Sequence, residues 1–361
     1  MDFKKIMIFT LILLISSIIS AQSASEKRSF TKSVPINKET RLEVLNKYGD
    51  IHISTWNKDS AYILAEVEAF APNQTKLNNM FDGIDINITE TTMVVRAKTE
   101  FTQSIVVILE SFKGLTEKIV DYNSRVQINY YINVPDYLDI RIENQFGDIF
   151  MENNKGNVSV SLSNGGFEAN ALNKLSDLKL NFGDAEINSV NSGKIDASFS
   201  KLTINESSDL TINSISSRFN LKKSEKINVE SRRDKFFIGD INEITGISYF
   251  TDYNLENLGK EIDLTLKYGS LHADLVDNRF DKINLISAYS DITLSFNQTA
   301  SYGLEIRHIN AFVVIPDKDT KIEKEVLNED KKEYLLTGTC GNNPGTRKVR
   351  IDATRGNIYL K

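Results

Sequence analysis

Residues 145–151 read QFGDIFM, and residues 181–187 read NFGDAEI. In both phrases an aromatic residue precedes Gly-Asp, and apolar residues then occupy alternate positions. Degenerate copies occur elsewhere in the chain: KYGDIHI at 47–53, SFSKLTI at 198–204, KYGSLHA at 267–273 and AYSDITL at 288–294. A phrase that recurs at a fixed period indicates a repeat architecture, in which each copy is one structural unit.

The spacing of the phrase gives the size of that unit. We align the copies on the position of the glycine, which recurs about every 18 residues, as in the coil of a solenoid. Clear copies place this reference position at Gly147, Gly165, Gly183, Ser200, Gly269 and Ser290. Between Ser200 and Gly269 the phrase is degenerate, and the best placements are Phe219, Asp234 and Thr251.

Apolar residues alternate on both sides of the Gly-Asp pair. Leu178, Leu180 and Phe182 precede one copy, and Ala185 and Ile187 follow it. Alternation at period two predicts β-strands with one buried face, and a bend at Gly-Asp restores the inward direction for the second strand. We expect the stacked coils to form an inward ladder of rings from Phe146, Phe182, Phe199 and Tyr268.

These patterns predict an all-β fold, a single-stranded parallel β-solenoid with coils of about 18 residues. An antiparallel meander that closes into a sandwich or barrel is the alternative, because short strands with regular turns also fit it. The recurrence of the phrase at equivalent places in each unit favours the solenoid.

The flanks of the repeat have other patterns. In the N-terminal part, residues 62–70 and 84–97 have the alternating pattern of strands. Lys76 to Phe81 has the pattern of a short helix with an N-terminal cap. Ser104 to Tyr122 carries apolar residues at helical spacing. We expect it to cover the end of the solenoid or a sheet face; a membrane-surface or partner-docking helix and a pair of strands are the alternatives. Lys348 to Lys361 predicts two strands around Arg355-Gly356.

Residues 1–22, MDFKKIMIFTLILLISSIISAQ, have the pattern of a cleavable secretory signal: a basic start, a short apolar run and small residues, with cleavage after Ala21 or, alternatively, after Ala24. The apolar run is short for an uncleaved anchor, and no cysteine follows it for lipid attachment. We therefore expect export to the periplasm or cell surface. The predicted organisation is a signal peptide at 1–21, an N-terminal β-rich region with a helical insertion at 22–124, solenoid repeats at 125–299 and capping strands at 300–361.

Composition excludes several classes of protein. The chain has 43 Lys and Arg against 49 Asp and Glu, a formal net charge of -6, whereas nucleic-acid binding needs a basic excess. A disulfide framework is excluded because Cys340 has no second cysteine in the chain. We expect no nucleic-acid partner and no transmembrane span in the mature chain.

No sequence motif for catalysis is present, and we predict no catalytic, cofactor-binding or metal-binding residues and no enzymatic activity. Four aspartates share one repeat position and could form a calcium column, but capping of the bends is favoured, because Asn, Ser and Lys201 interrupt the column. These are Asp50, Asp148, Asp184 and Asp291. The three histidines, too few and too scattered for a metal site, are expected at the surface: His52 and His272 at one outward repeat position, and His308 in the tail.

The phrases KYGDIHI, QFGDIF and NFGDAEI, with INYYINVP before the repeat and RKVRIDATRGNIYLK at the end, resemble the putative-adhesin β-strand-repeat family of bacterial envelope proteins, a domain of unknown function. The resemblance spans roughly 34–361, and the signal segment is similar to those of Bacteroidetes. It implies a right-handed β-solenoid, no known enzymatic activity and a role in adhesion. Residues 104–122 look like an insertion relative to the family pattern.

Three functional hypotheses follow. The first is an exported non-catalytic protein that presents a long β surface to an envelope protein or glycan, as an adhesin or assembly protein. The second is a carbohydrate-active β-solenoid enzyme, a polysaccharide lyase or hydrolase. The third is an accessory to envelope-stress signalling.

Overall fold

The computed structural model describes residues 23–102, 125–317 and 319–361. The described residues form 25 strands and one helix, with 73% of these residues in strands, and they build a parallel β-solenoid of about nine turns of ~18 residues. The predicted solenoid is therefore confirmed, and the antiparallel meander is excluded. The predicted signal at 1–21 and the predicted helix at 104–122 lie outside the described residues.

The elements fall into three groups along the chain. The N-terminal group is β1 (Ala24–Pro35), β2 (Arg41–Leu45), β3 (Ile51–Thr55), β4 (Ser60–Ala71), α1 (Gln74–Asp82), β5 (Ile84–Glu90), β6 (Val94–Phe101) and β7 (Arg125–Val134). The middle group is β8 (Asp139–Asn144), β9 (Ile149–Met151), β10 (Asn154–Ser163), β11 (Gly166–Asn181), β12 (Asp184–Ser198), β13 (Lys201–Ile215), β14 (Arg218–Arg232), β15 (Lys235–Tyr249), β16 (Asp252–Lys267), β17 (Ser270–Val276), β18 (Lys282–Ala288) and β19 (Asp291–Phe296). The C-terminal group is β20 (Tyr302–Ile309), β21 (Phe312–Val314), β22 (Thr320–Asn328), β23 (Glu333–Cys340), β24 (Lys348–Thr354) and β25 (Asn357–Leu360).

Each strand from β11 to β16 is long and bends around a shared core. Strands β11 to β16 pair in parallel register, so that Ala185 lies beside Leu202 and Leu202 beside Phe219. Within one coil the inward positions alternate along the straight stretches, the pattern that predicted strands with one buried face, and are three residues apart where the strand bends. In β11 the buried apolar residues are Phe167, Ala169, Leu172, Leu175, Leu178 and Leu180.

The N-terminal end of the solenoid is covered by two sheet extensions. The first coil, β2 and β3, pairs in parallel with β8 and β9 on one side and with β6 and β7 on the other. Strands β4 and β1 then continue the β7 edge in antiparallel order, while β5 continues the β6 edge. Helix α1 contacts β1, β4 and β5 and so closes the space between the two extensions.

Two local predictions in this region have different outcomes. The short helix is present, and the Asn73 side chain caps it by accepting a hydrogen bond from the Lys76 amide at 2.9 Å. The single strand predicted for residues 84–97 is two antiparallel strands, β5 and β6. The chain reverses at Thr91, whose amide bonds to the Val94 carbonyl at 2.8 Å.

The C-terminal end has a non-sequential order of coils. Strands β24 and β25, the two strands predicted around Arg355-Gly356, lie between the coil of β18 and β19 and the coil of β20 and β21. The antiparallel hairpin of β22 and β23 then adds to the free edge of β20. Later residues of the chain therefore fill a gap between two earlier coils.

The predicted inward ring ladder is wrong. Phe182, Phe199 and Tyr268 have φ between +52° and +59° and point into solvent. A residue in the left-handed region breaks the period-two alternation, so a ring that the pattern would place inside turns outward. The bend occurs at the glycine, as predicted, at Gly49 and Gly147. Phe146, just before Gly147, is half-buried and stacks on Tyr48.

One of the three interpolated reference positions is also wrong. The residue that matches Ser200 is Ser217, because Lys201 pairs with Arg218, whereas Phe219 is a fully buried core residue. The other two, Asp234 and Thr251, are correct. Alignment failed at this coil because Ser216-Ser217 has neither the ring nor the glycine of the phrase.

Candidate functional site

One corner of the solenoid carries a left-handed residue in successive coils, and these residues form a continuous row that we call the corner ridge. In spatial order the row is Asn164, Phe182, Phe199, Ser216, Arg233, Phe250, Tyr268, Tyr289, Arg355 and Asn310, with φ between +47° and +62°. Such a conformation costs a non-glycine residue roughly 1–2 kcal/mol. Neighbouring coils hold it in place, because the ridge amides donate to carbonyls of the next coil, as from Phe182 to Ser198 at 3.1 Å.

The aromatic members of the ridge form two stacks in solvent. Phe182 stacks on Phe199 with ring centroids 5.1 Å apart and an interplanar angle of 3°. Tyr268 stacks on Phe250 at 4.9 Å and on Tyr289 at 5.2 Å. All remain substantially exposed: Phe182 62%, Phe199 55%, Phe250 49%, Tyr268 49% and Tyr289 45%.

The second stack ends in a cation. The Arg355 guanidinium carbon lies 5.1 Å from the Tyr289 ring centroid, and its Nη1 donates a hydrogen bond to the Tyr289 hydroxyl at 3.2 Å. A guanidinium over an aromatic face is attracted by the ring quadrupole. The ridge is thus ordered over many coils although its rings face water.

Between the two stacks the ridge is interrupted by Ser216 and Arg233, and a groove of about 490 Å³ opens there. We call this groove the ridge gap. Its lining is made of one aromatic ring, three serines, four basic residues and one acidic residue: Phe199, Ser200, Ser216, Ser217, Lys201, Arg218, Arg233, Lys235 and Asp184.

The basic residues of the ridge gap are stacked in register. Lys201 pairs with Arg218 and Arg218 with Lys235 on adjacent parallel strands, which lie about 4.8 Å apart. All three side chains and that of Arg233 are exposed, and none of the four forms an ion pair with another described residue. Asp184 and Asp252 occupy the same column on either side and bound the basic stretch.

A buried carboxylate fixes the floor of the ridge gap. Asp234 is almost fully buried and accepts hydrogen bonds from the Ser217 amide at 2.6 Å and from the hydroxyls of Ser214 and Ser231, both at 2.7 Å. The Arg232 amide donates to it as well, at 3.1 Å. A buried charge is stable only when it is hydrogen-bonded in this way, so the bend that carries Arg233 is held rigidly.

The aspartates predicted at one repeat position do share a column, and three of them bond to the next coil. Asp50 accepts from the Asp148 amide at 2.8 Å, Asp148 from the Gly166 amide at 2.7 Å, and Asp291 from the Asn357 amide at 3.0 Å. They cap neighbouring coils rather than their own bends. Within residues 23–102, 125–317 and 319–361, no three His, Cys, Asp or Glu residues come together in a group that could hold a metal ion.

The histidines have three different environments. His52 stacks between Tyr131 and Phe150 at 4.9 and 4.7 Å, and His272 lies 2.8 Å from Asp274. His308, expected at the surface, is buried against the Tyr334 ring. Burial, together with the charge of Lys324, lowers the pKa of His308 below its usual value.

A second groove, of about 480 Å³, is acidic. Its lining includes His52, Phe150, Glu152, Glu168 and Glu186. Glu168 and Glu186 are paired on adjacent strands and therefore lie on the same wall.

Sequence reasoning missed the four basic residues of the ridge gap. Their signal was present, since Lys201, Arg218 and Lys235 follow one another at intervals of 17 residues. It could be recognised only with the correct alignment of the coil at Ser216-Ser217.

In the described part of the chain, no helix is long and apolar enough to cross a membrane. No protein-family model matches the chain, and no curated protein matches it.

Comparison with solved structures gives matches of low identity. A putative cell adhesion protein from Clostridium sporogenes matches 93% of this chain and 100% of its own, at 12% identity and a TM-score of 0.20. A putative lipid binding protein from Parabacteroides distasonis matches 74% of this chain and 96% of its own, at 12% identity and a TM-score of 0.35. A putative adhesin from Bacteroides fragilis matches 93% of this chain and 98% of its own, at 10% identity and a TM-score of 0.27. These similarities establish neither a family nor a ligand for this chain.

Proposed function

We propose that the protein is an exported, non-catalytic binding protein of a bacterial cell envelope, of the adhesin type, and that the corner ridge is its contact surface. The observation that carries this proposal is the ordered row of exposed rings on the ridge. Contiguous apolar surface of this kind on a folded protein commonly marks an interaction site.

The energetics of the ridge support binding rather than stability. Half-exposed rings contribute less hydrophobic free energy than buried ones, and each left-handed residue adds strain. The core already contains a buried ring stack, Phe219 on Phe236 at 4.6 Å and Phe236 on Tyr253 at 4.9 Å. Strain and exposed apolar groups that persist together in a structure support a functional role.

The rigidity of the ridge supports the same proposal. Because the ridge amides are bonded to the next coil, the rings are held in a fixed row before any partner arrives. A preorganised surface loses little conformational entropy on binding, which favours affinity. The segment 1–21, with its secretory pattern, supports a partner outside the cytoplasm, an envelope protein or a glycan.

Binding of the purified chain from residue 22 onward to immobilised envelope polysaccharides and envelope proteins tests the proposal. The ridge variant F182S/F199S/F250S/Y268S should lose most of this binding. The control F312S/V326S removes exposed apolar side chains from the C-terminal end and should bind like the wild type.

Equal binding by the ridge variant and the wild type would refute the role of the ridge. Release of reducing or unsaturated sugar ends by the wild type would refute the non-catalytic assignment and favour a lyase or hydrolase. Circular dichroism and thermal unfolding of each variant show whether the solenoid is intact.

A further inference from the structure

We propose that the ridge gap binds an acidic sugar residue of a polysaccharide, with the sugar ring against Phe199 and its anionic group against the surrounding basic side chains. This inference rests on the proposed function, because it assigns a ligand class to one part of the corner ridge. It follows from three observations: the charge of the gap, the open face of Phe199 and the width of the interruption.

The charge of the gap selects an anion. Lys201, Arg218, Arg233 and Lys235 converge on one groove, with Asp184 as its one acidic lining residue. None of the four is neutralised by an ion pair with another described residue, although the whole chain carries a net charge of -6. Clustered unpaired cations on an acidic protein create a local positive potential that attracts an anionic ligand.

The arginines give this anion a preferred geometry. The Arg218 guanidinium carbon lies 6.0 Å from the centroid of the Phe237 ring, within reach of a cation–π contact. A planar guanidinium forms two parallel hydrogen bonds with a carboxylate or a sulfate. The lysines on the adjacent coils, Lys201 and Lys235, can reach the same group from either side.

The open ring face selects a ligand with an apolar side. Phe182 covers one face of Phe199, but the ridge position on the other side is Ser216, whose small side chain leaves the second face free. The face of an aromatic ring is electron-rich and attracts polarised C–H groups. Sugar rings present such C–H groups on one side and polar groups at their edges.

The width of the interruption fits one ring. Phe199 and Arg233 are two coils apart on the ridge, which is about 10 Å at a strand spacing of ~4.8 Å. A group in van der Waals contact with Phe199 lies about 3.5–4 Å from its face. One sugar ring therefore fills the gap and brings its acidic substituent to Arg233.

The extent of the basic stretch argues against a nucleic acid. Single-stranded nucleic acids need a basic groove that follows the backbone over several nucleotides. Here the basic column spans only three coils, about 10 Å, and ends at Asp184 and Asp252, so it is too short for such a track. A single acidic sugar needs no longer track.

The test measures binding of the protein to polygalacturonate. Dextran serves as the neutral polysaccharide, and single-stranded DNA and phosphatidylglycerol vesicles serve as the other anionic ligands. The variant S216F fills the gap with a ring that the neighbouring ridge positions already accommodate. The variant K201Q/R218Q/K235Q removes the charge. We expect both to bind polygalacturonate at least tenfold more weakly than the wild type, whose binding should weaken as salt is raised.

Two controls are matched to these variants. N87F adds a ring at an exposed position of β5, outside the corner ridge, and K321Q/K331Q/K332Q removes three charges from the C-terminal hairpin. Both should bind polygalacturonate like the wild type. Unchanged binding by S216F, equal binding of dextran and polygalacturonate, or tighter binding of DNA or vesicles would overturn the inference.

The outcome separates this inference from the proposed function. If the ridge variant loses envelope binding while S216F keeps it, the ridge is the contact surface and the gap is not its acidic-sugar site. If the ridge variant keeps envelope binding, the proposed role of the ridge is refuted, and the inference about the gap loses its basis.

Discussion

The protein contains two rows of stacked aromatic rings that have similar spacing and opposite surroundings. The inner row, Phe219, Phe236 and Tyr253, has centroids 4.6 and 4.9 Å apart and is fully buried. The outer row on the corner ridge has centroids 4.9 to 5.2 Å apart and is about half exposed. The stacking geometry therefore does not distinguish a structural row from a binding surface, whereas the burial of the rings does. The inner row stabilises the fold, and the outer row is available to a partner.

The largest loss of stability should come from removing a ring of the inner row. Phe236→Ala removes a buried ring from the middle of that row, and we expect the free energy of unfolding to fall by about 3–5 kcal/mol. Denaturant unfolding measures this loss. Phe237→Ala is the matched control, because the next residue along the chain is 42% exposed and should cost under about 1 kcal/mol. Similar losses for both variants would contradict the distinction between the rows.

The second largest loss of stability should come from breaking the hydrogen-bond network of Asp234, at the bend that carries Arg233. Asp234→Asn leaves several buried donors of Ser214, Ser217 and Ser231 without their charged acceptor, and we expect a loss of about 1–3 kcal/mol in unfolding free energy. Asp184→Asn changes an exposed carboxylate of the ridge gap and should have little effect on stability. If the two variants unfold at the same denaturant concentration, the buried network does not hold the bend.

The stability that the inner row provides should also decrease at high pH. Burial raises the pKa of the Tyr253 hydroxyl well above its usual value, although the Ser248 hydroxyl bonds to it. The folded state therefore keeps this proton at a pH where the unfolded chain loses it. Its contribution to stability is complete below about pH 10 and declines above, by up to about 1.4 kcal/mol per pH unit. Denaturant unfolding between pH 9 and 11 should show a steeper decline for the wild type than for Tyr253→Phe, and parallel curves would refute this assignment.

The smallest effect should come from breaking the outer row. Tyr268 lies between Phe250 and Tyr289, and Tyr268→Ala removes two stacking contacts. Because the ring is about half exposed, we expect a loss of about 1 kcal/mol in unfolding free energy, well below that of Phe236→Ala. A loss of about 3 kcal/mol or more would show that the outer row stabilises the fold as the inner row does.

The repeat and its parallel stacking could be predicted from the sequence because both leave local patterns. Alternation of apolar residues marks the buried face, as at Leu178 and Leu180, and Asn73 marks the start of the short helix. Each of these signals depends on residues close together in the chain.

The outward direction of the rings could not be predicted from alternation alone. The left-handed backbone at Phe182 and Phe199 is held by hydrogen bonds to the next coil, which a local pattern does not contain. A better signal was the variety of residues at the ridge position. A position that accepts Ser216, Arg233 and Arg355 as well as rings cannot be part of an apolar core.

The ridge gap and the order of the last coils were missed for a related reason. Both depend on which coils are neighbours. Lys201, Arg218 and Lys235 become one cluster only in the correct register. Likewise, the alternation around Val349 and Ile351 predicts a strand but does not say that it lies between β18 and β20.

That placement of β24 and β25 has a consequence for how the chain folds. The coils of β11 to β16 can be added one after another as they emerge, since each pairs with residues 17 or 18 positions earlier. The coil of β20 and β21 cannot dock in its final place until residues 348–360 have arrived to fill the space beneath it. Contacts of high sequence separation form late because they close long loops. During synthesis or export, the C-terminal end should therefore close last and expose its unpaired strand edges the longest.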